Sequence, residues 1–237
     1  MPEPERILRL ENLIAVAAES AKDHSTGVRL WEDKVMCGQF DSLAQLAFLQ
    51  DLLGVKPSAL PVLPRRVAPS AGAAIVVENP ESRAFEVMPA RFGLVPAWYR
   101  GALKDWKAAT FNARVEEANL KPAFKGAWRY RHALVPAEAF YEWSGPKTDR
   151  RRFRVTRADG QPLMLAGLWE EAYLSEGELW SFAVLTRPAS GDMMRIHDRE
   201  PVILSPQSWA AWLRREAVDL GRPARLGVCE ETLGSLL

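Results

Sequence analysis

The stretch His132–Trp143, HALVPAEAFYEW, decides how the chain folds. It is a short apolar and aromatic run, bounded by turn-forming residues and rich in strand formers. Similar runs recur on both sides: AAIVVE (73–78), AFEVMPARFGLV (84–95), RRFRVT (151–156), LMLAGLWEEAY (163–173) and LWSFAVLT (179–186). Each reads as a strand. Helical spacing is confined to ILRLENLIAVA (7–17), DSLAQLAFLQDLLG (41–54) and SPQSWAAWLRRE (205–216). The second of these opens with a capping-type Asp-Ser and stops at Gly54, and the third starts with Ser-Pro. PAFKGAW (122–128) reads as a helix or turn, and the prolines at 57, 61, 64 and 69 make 57–70 an extended loop. Many strands with few helices between them argue against a doubly wound parallel sheet. The expected fold is α+β: a single domain with a curled, mostly antiparallel, barrel-like sheet flanked by a few helices.

The chain of 237 residues is long enough to bury a substantial core, and its 48% apolar and 26% charged residues are ordinary for a globular protein. No run of 18 or more apolar residues is present, so no membrane helix is expected. The N-terminus lacks a signal-peptide core, and a cytoplasmic, monomeric protein is expected. Two cysteines, Cys37 and Cys229, and three histidines offer neither a disulfide framework nor a metal-binding spacing, so no metal or cofactor is expected. Cys229, in a polar tail, reads as a bystander.

A net charge of +1 does not make the whole molecule a magnet for nucleic acid. Two segments are locally basic. KTDRRRFRVTR (147–157) holds six basic residues against one acid, and KPAFKGAWRYRH (121–132) holds four, interleaved with Trp128 and Tyr130. Runs of this kind are more often solvated faces than binding sites, but cations beside aromatics also suit single-stranded nucleic acid.

Four short motifs carry possible chemistry. FNARVEE (111–117) spaces Asn112, Arg114 and Glu116 to one side of a strand; alone it would be a surface strand with an Arg–Glu pair. FYEW (140–143) sets Glu142 among aromatics. Burial there would raise a carboxyl pKa and suit it to acid–base work, whereas simple alternation would turn Glu142 outward. IHDREPVIL (196–204) places His197 on a polar turn feeding a strand, and GLVPAW (93–98) ends a strand on the indole of Trp98.

Taken in order, MCGQF (36–40), FGLVPAW, FNARVEE, LVPAEAFYEW, LAGLWE, FAVLTRPAS and IHDREPVIL resemble the SOS-response-associated-peptidase (SRAP) family of abasic-site DNA sensors. The resemblance runs from Met36 to about Leu204. It implies a SRAP domain over 36–237, with 1–35 an N-terminal extension that is either an over-extended start or a propeptide. It further implies that Cys37 is the nucleophile, assisted by Asn112, Glu142 and His197. Arg114, Trp98, Trp143 and Thr186 would hold DNA. The partner would be single-stranded DNA containing an abasic site, captured as a thiazolidine DNA–protein crosslink through an N-terminal cysteine. Four positions depart from the family's usual phrases: Gln39 for Arg, Phe92 for Trp, Ala139 for Gly and Glu200 for Met. The first removes an expected backbone contact, and Glu200 would raise the pKa of nearby His197.

A thiazolidine needs a free α-amine, which Cys37 lacks while residues 1–36 precede it. The start-like phrase Met36–Cys37–Gly38 therefore points to Met36 as the initiator. Two other readings stay open. A cysteine peptidase, acting on itself or on other chains, would use Cys37, His197 and Asn112. A non-catalytic single-strand-binding module would use only the basic segments and tryptophans.

Overall fold

A computed structural model describes residues 38–43, 48–55, 62–146, 148–221 and 225–231. The helix expected at 7–17 and Cys37 itself lie outside the described residues.

Eleven strands in one sheet organise the described residues. They are β1 (Gln39–Ser42), β2 (Arg66–Val67), β3 (Gly72–Glu78), β4 (Phe85–Phe92), β5 (Asn112–Arg114), β6 (His132–Ser144), β7 (Arg151–Arg157), β8 (Leu163–Leu174), β9 (Gly177–Pro188), β10 (Arg199–Pro201) and β11 (Leu226–Glu231). β9 pairs with β4, β4 with β3, β3 with β6, β6 with β8 and β8 with β9, so these five strands form a closed ring. Most pairings are antiparallel, while β4 and β5 run parallel to β9. β1, β2, β7 and β11 extend the sheet from β6, and β10 extends it from β9.

Alternation along each strand sorts side chains between two cores. Ala73, Ile75 and Val77 of β3, Met88, Ala90 and Phe92 of β4, and Phe182 and Val184 of β9 fill the ring interior, joined by Phe40 of β1. Their sequence neighbours Ala74, Val76, Val87, Ala183 and Leu185 face outward and meet the helices. Those helices are α1 (Phe48–Leu53), α2 (Lys125–Tyr130) and α3 (Pro206–Leu213). Leu49, Ala127, Trp209, Trp212 and Leu213 are among their buried residues. The strands predicted from sequence are the long ones seen, and both short late helices form near their expected places.

Two expectations need correction. Asp41 and Ser42 do not cap a helix. They belong to β1, because Phe40 pairs with Phe140 and carries its neighbours into the sheet. α1 is therefore shorter than 41–54, though it does end at Gly54, whose φ of +63° suits only glycine comfortably. Cys229 is not in a tail: it lies in β11 opposite Arg154 of β7, where it is exposed.

Candidate functional site

Register gathers three of the predicted residues at one end of the ring. On β9, Phe182 and Val184 belong to the interior core and Thr186 follows on the same side. β5 lies alongside in parallel, with Asn112 beside Val184 and Arg114 beside Thr186, while Ala113 joins the outer core. Asn112 thus faces the ring interior one step above Phe182. Across the ring, Phe140 of β6 faces the same interior, and Glu142 follows two residues on. Glu142 is 1% exposed. The alternative in which alternation turns it to solvent does not hold.

Between these residues lies an aromatic floor. Phe92 stacks on Phe182 with centroids 5.1 Å apart and 21° between planes. Phe40 meets Phe92 edge-on at 5.5 Å, and Phe111 does so from the other side at 5.8 Å. Phe92, one of the departures from the resembled phrases, is therefore the centre of the floor. The cluster ties the strand that starts two residues after Cys37 to the strand carrying Asn112. The tight turn above it requires Gly93, whose φ is +115° and where a Cβ would stand 2.8 Å from a nitrogen of Arg91. Arg91 is bonded to Gly93 O at 2.6 Å and Ser70 Oγ at 2.7 Å, and burial pushes its pKa down to about 10.

His197 sits in the turn before β10. Its Nδ1 accepts a hydrogen bond from the Arg199 backbone N–H at 3.0 Å, and Asp198 Oδ1 is 2.9 Å from the same nitrogen. The two contacts need opposite protonation of Nδ1. Burial pushes the His197 pKa down; Asp198 and the Arg199 backbone contact oppose the shift, while the charges of Arg150 and Arg199 add to it. The neutral ring therefore prevails near pH 7, and the backbone amide, fixed by the turn, holds Nδ1 as acceptor in preference to the solvent-exposed Asp198 carboxylate. The proton is on Nε2.

Glu200 does not raise the His197 pKa. It is buried and fully engaged, with Arg187 at 2.5 Å, Ser190 N at 3.1 Å and Ser190 Oγ at 3.0 Å, so its charge is compensated away from the histidine.

Arg199 is the residue that the motif reading passed over. Its guanidinium makes a bidentate pair with Glu116 at 2.7 and 2.8 Å and donates to Thr186 O at 2.8 Å. It clasps β9, β10 and the turn after β5. Only its place two residues after His197 signalled it. Glu116 consequently does not share a strand face with Arg114, because β5 ends at Arg114 and the chain turns. Arg114 instead lies exposed, 3.9 Å from Glu117. Thr186 is fully buried, and its hydroxyl is 3.5 Å from Arg199, so it stands behind that guanidinium. Trp98 is 58% exposed on its loop, with its indole N–H donating to Pro122 O at 3.2 Å and its edge against Trp106. Trp143 points to the opposite face of β6 from Glu142, toward Arg150 and Arg152.

Residues 36–229 match the SOS response associated peptidase (SRAP) family. The chain belongs to that family. Among its relatives, the abasic site processing protein YedK of Escherichia coli is 29% identical over 190 residues, covering 76% of this chain and 81% of YedK. The abasic site processing protein YoqW of Bacillus subtilis is 33% identical over 132 residues, 54% of this chain and 58% of that protein. The Xenopus tropicalis protein HMCES, also named for abasic site processing, is 29% identical over 136 residues, 48% of this chain and 40% of HMCES. This SRAP chain thus spans only part of several relatives. A crystal structure of a Bordetella bronchiseptica protein superposes with a TM-score of 0.72 at 29% identity, covering 83% of this chain and all of that one.

Proposed function

We propose that the chain acts on DNA carrying abasic sites, capturing the ring-opened sugar of a single-stranded site as a covalent thiazolidine on Cys37. The observation that carries this reading is the convergence of Asn112 and Glu142 on one aromatic-floored ring mouth, beside the start of β1. The names of the relatives support abasic DNA as the partner.

The chemistry follows from the groups. Once residues 1–36 are absent, Cys37 presents an α-amine whose ordinary pKa, near 8, leaves a useful neutral fraction at pH 7. The amine nitrogen attacks the C1′ aldehyde, and the carbinolamine loses water to give an imine. The thiol sulfur then adds to the imine carbon and its proton passes to nitrogen, closing a five-membered ring with the net loss of one water. Asn112 holds the aminothiol by hydrogen bonds. Glu142, in a dry aromatic setting, carries protons between carbinolamine and imine. His197 offers Nε2–H as a hydrogen-bond donor to the opened sugar oxygen. A thiol-activating peptidase base would need the unprotonated nitrogen turned toward Cys37, and here that nitrogen is held by the Arg199 amide. Arg114, exposed at the rim, suits a backbone phosphate, while Arg199 is committed to Glu116 and Thr186.

Glu142→Gln tests the assignment. In a chain verified to begin at Cys37, it should slow appearance of a denaturation-resistant adduct with an abasic oligonucleotide by about a hundredfold or more. An unchanged rate would remove Glu142 from the mechanism. Hydrolysis of peptides with DNA absent, and no adduct, would favour the peptidase reading instead.

A further inference from the structure

The opposite face of β1, β6 and β7 carries a second arrangement that the ring-mouth chemistry does not use. Register places Gln39 beside Tyr141 and Tyr141 beside Arg154, with Trp143 beside Arg152 in the next row and Asp41 beside Arg66 at the far edge. Tyr141 lies between cations from both sides. The Arg152 guanidinium is 3.9 Å from its ring centre and the Arg66 guanidinium 4.5 Å. Arg152 is also 5.7 Å from the Trp143 ring, and Arg150 is 6.0 Å from it.

The acids present do not satisfy these cations. Asp41 is consumed within the layer: one oxygen accepts from Arg66 Nε at 3.1 Å and the other from the Tyr141 hydroxyl at 2.7 Å. Glu231, at the end of β11, approaches Arg152 Nε only to 3.5 Å. The Arg152 side chain is 11% exposed, yet among the described residues its Nε and one terminal nitrogen have no hydrogen-bond partner. A largely buried guanidinium with unused N–H groups is costly unless an acceptor arrives. Its planar fork lies against two aromatic rings, and the Glu231 carboxylate pairs with it only loosely, at 3.5 Å. That combination is what a phosphate oxygen displacing Glu231 would complete.

We propose that Arg152 and Arg154, framed by Tyr141 and Trp143, form a backbone-phosphate site for single-stranded DNA outside the ring mouth, with Glu231 as the resident carboxylate that the phosphate displaces. The site binds any sequence, because phosphate carries no base information. It also turns the basic run 147–157 from a solvated edge into part of the strand path. The inference deepens the proposed function by adding a DNA contact.

The test uses the full chain and an undamaged single-stranded oligonucleotide, followed by fluorescence anisotropy over a salt series. Replacing both arginines, Arg152→Gln with Arg154→Gln, should lower the slope of log affinity against log salt by about 1.4, from two contacts at roughly 0.7 each. The paired Lys replacements should keep most of it. Glu231→Gln leaves the arginines in place and should tighten binding at low salt, which keeps the proposal testable if the double Gln variant fails to fold. An unchanged slope in the double Gln variant, or unchanged affinity in Glu231→Gln, would overturn it. The outcome is separable from the crosslinking reading: a wild-type chain that forms adducts with an unaltered slope sinks only the phosphate site. A chain whose slope falls as stated but which forms no adduct sinks only the crosslink.

Discussion

Four consecutive residues of β6, Phe140 to Trp143, serve two unlike environments. Phe140 and Glu142 face the ring interior, where Phe40, Phe92 and Phe182 leave a dry aromatic floor. Tyr141 and Trp143 face the other way, into guanidinium groups from β2 and β7. The first side is dominated by packing, so its aromatic residues contribute stability in proportion to buried apolar area. The second is dominated by charge, where hydrogen bonds and cation–π contacts set the geometry. A period of two along one strand lets one segment line both a buried aromatic interior and a cationic face.

That contrast can be broken most forcefully at the floor. Phe182→Ala should cost about 3–5 kcal/mol, read by urea denaturation, because Phe182 is fully buried and stacked on Phe92. A loss below about 1 kcal/mol would mean the floor collapses without penalty.

On the charged side, Tyr141→Phe should cost less, about 1–2 kcal/mol, by taking one donor from buried Asp41 while the ring stays. The pH dependence sharpens this. Burial pushes the Asp41 carboxyl up, but the hydrogen bonds from Tyr141 and Arg66, with the nearby guanidinium charge, outweigh it and hold the pKa below its ordinary 3.8. A depressed folded pKa adds stability that is present above pH 3.8 and is lost as the pH falls through the folded value. The gap between wild type and Tyr141→Phe should therefore be widest near neutrality and close in acid. A gap that grows in acid would contradict the assignment.

The smallest effect lies at the rim. Since burial lowers the His197 pKa below 6.5, wild type should lose some stability as the pH falls from above 6.5 through the folded value. His197→Gln should remove that component from stability curves measured between pH 7.5 and 5, and an identical fall in both proteins would place the titration elsewhere.

Much of the fold could be read from local pattern, because the long strands β3, β4 and β6 to β9 are apolar runs bounded by turn residues. A barrel-like curl was expected, but which strands close it was not, since parallel pairing of β4 and β5 with β9 is a long-range choice that no local spacing encodes. The same limit explains Asp41 and Ser42, whose helix-capping appearance yielded to the pairing of Phe40 with Phe140. At the site, the motif positions of Asn112, Glu142 and His197 were visible, but the side each one faces was not. Glu142 could have pointed either way until the register was fixed. Arg199 escaped notice because its partner, Glu116, is 83 residues away. The arginine face escaped as well, because Arg66, Arg152 and Arg154 come from two separate parts of the chain and acquire meaning only around Tyr141.

The central claim is the covalent capture of an abasic sugar by Cys37. The direct measurement is intact-mass analysis of a chain beginning at Cys37 after incubation with a single-stranded oligonucleotide holding one abasic site. The account predicts one stoichiometric, heat-stable species at the summed mass less one water, absent from Cys37→Ala and from a chain that retains residues 1–36. No such species from the Cys37 chain, or the same species from Cys37→Ala, would contradict it.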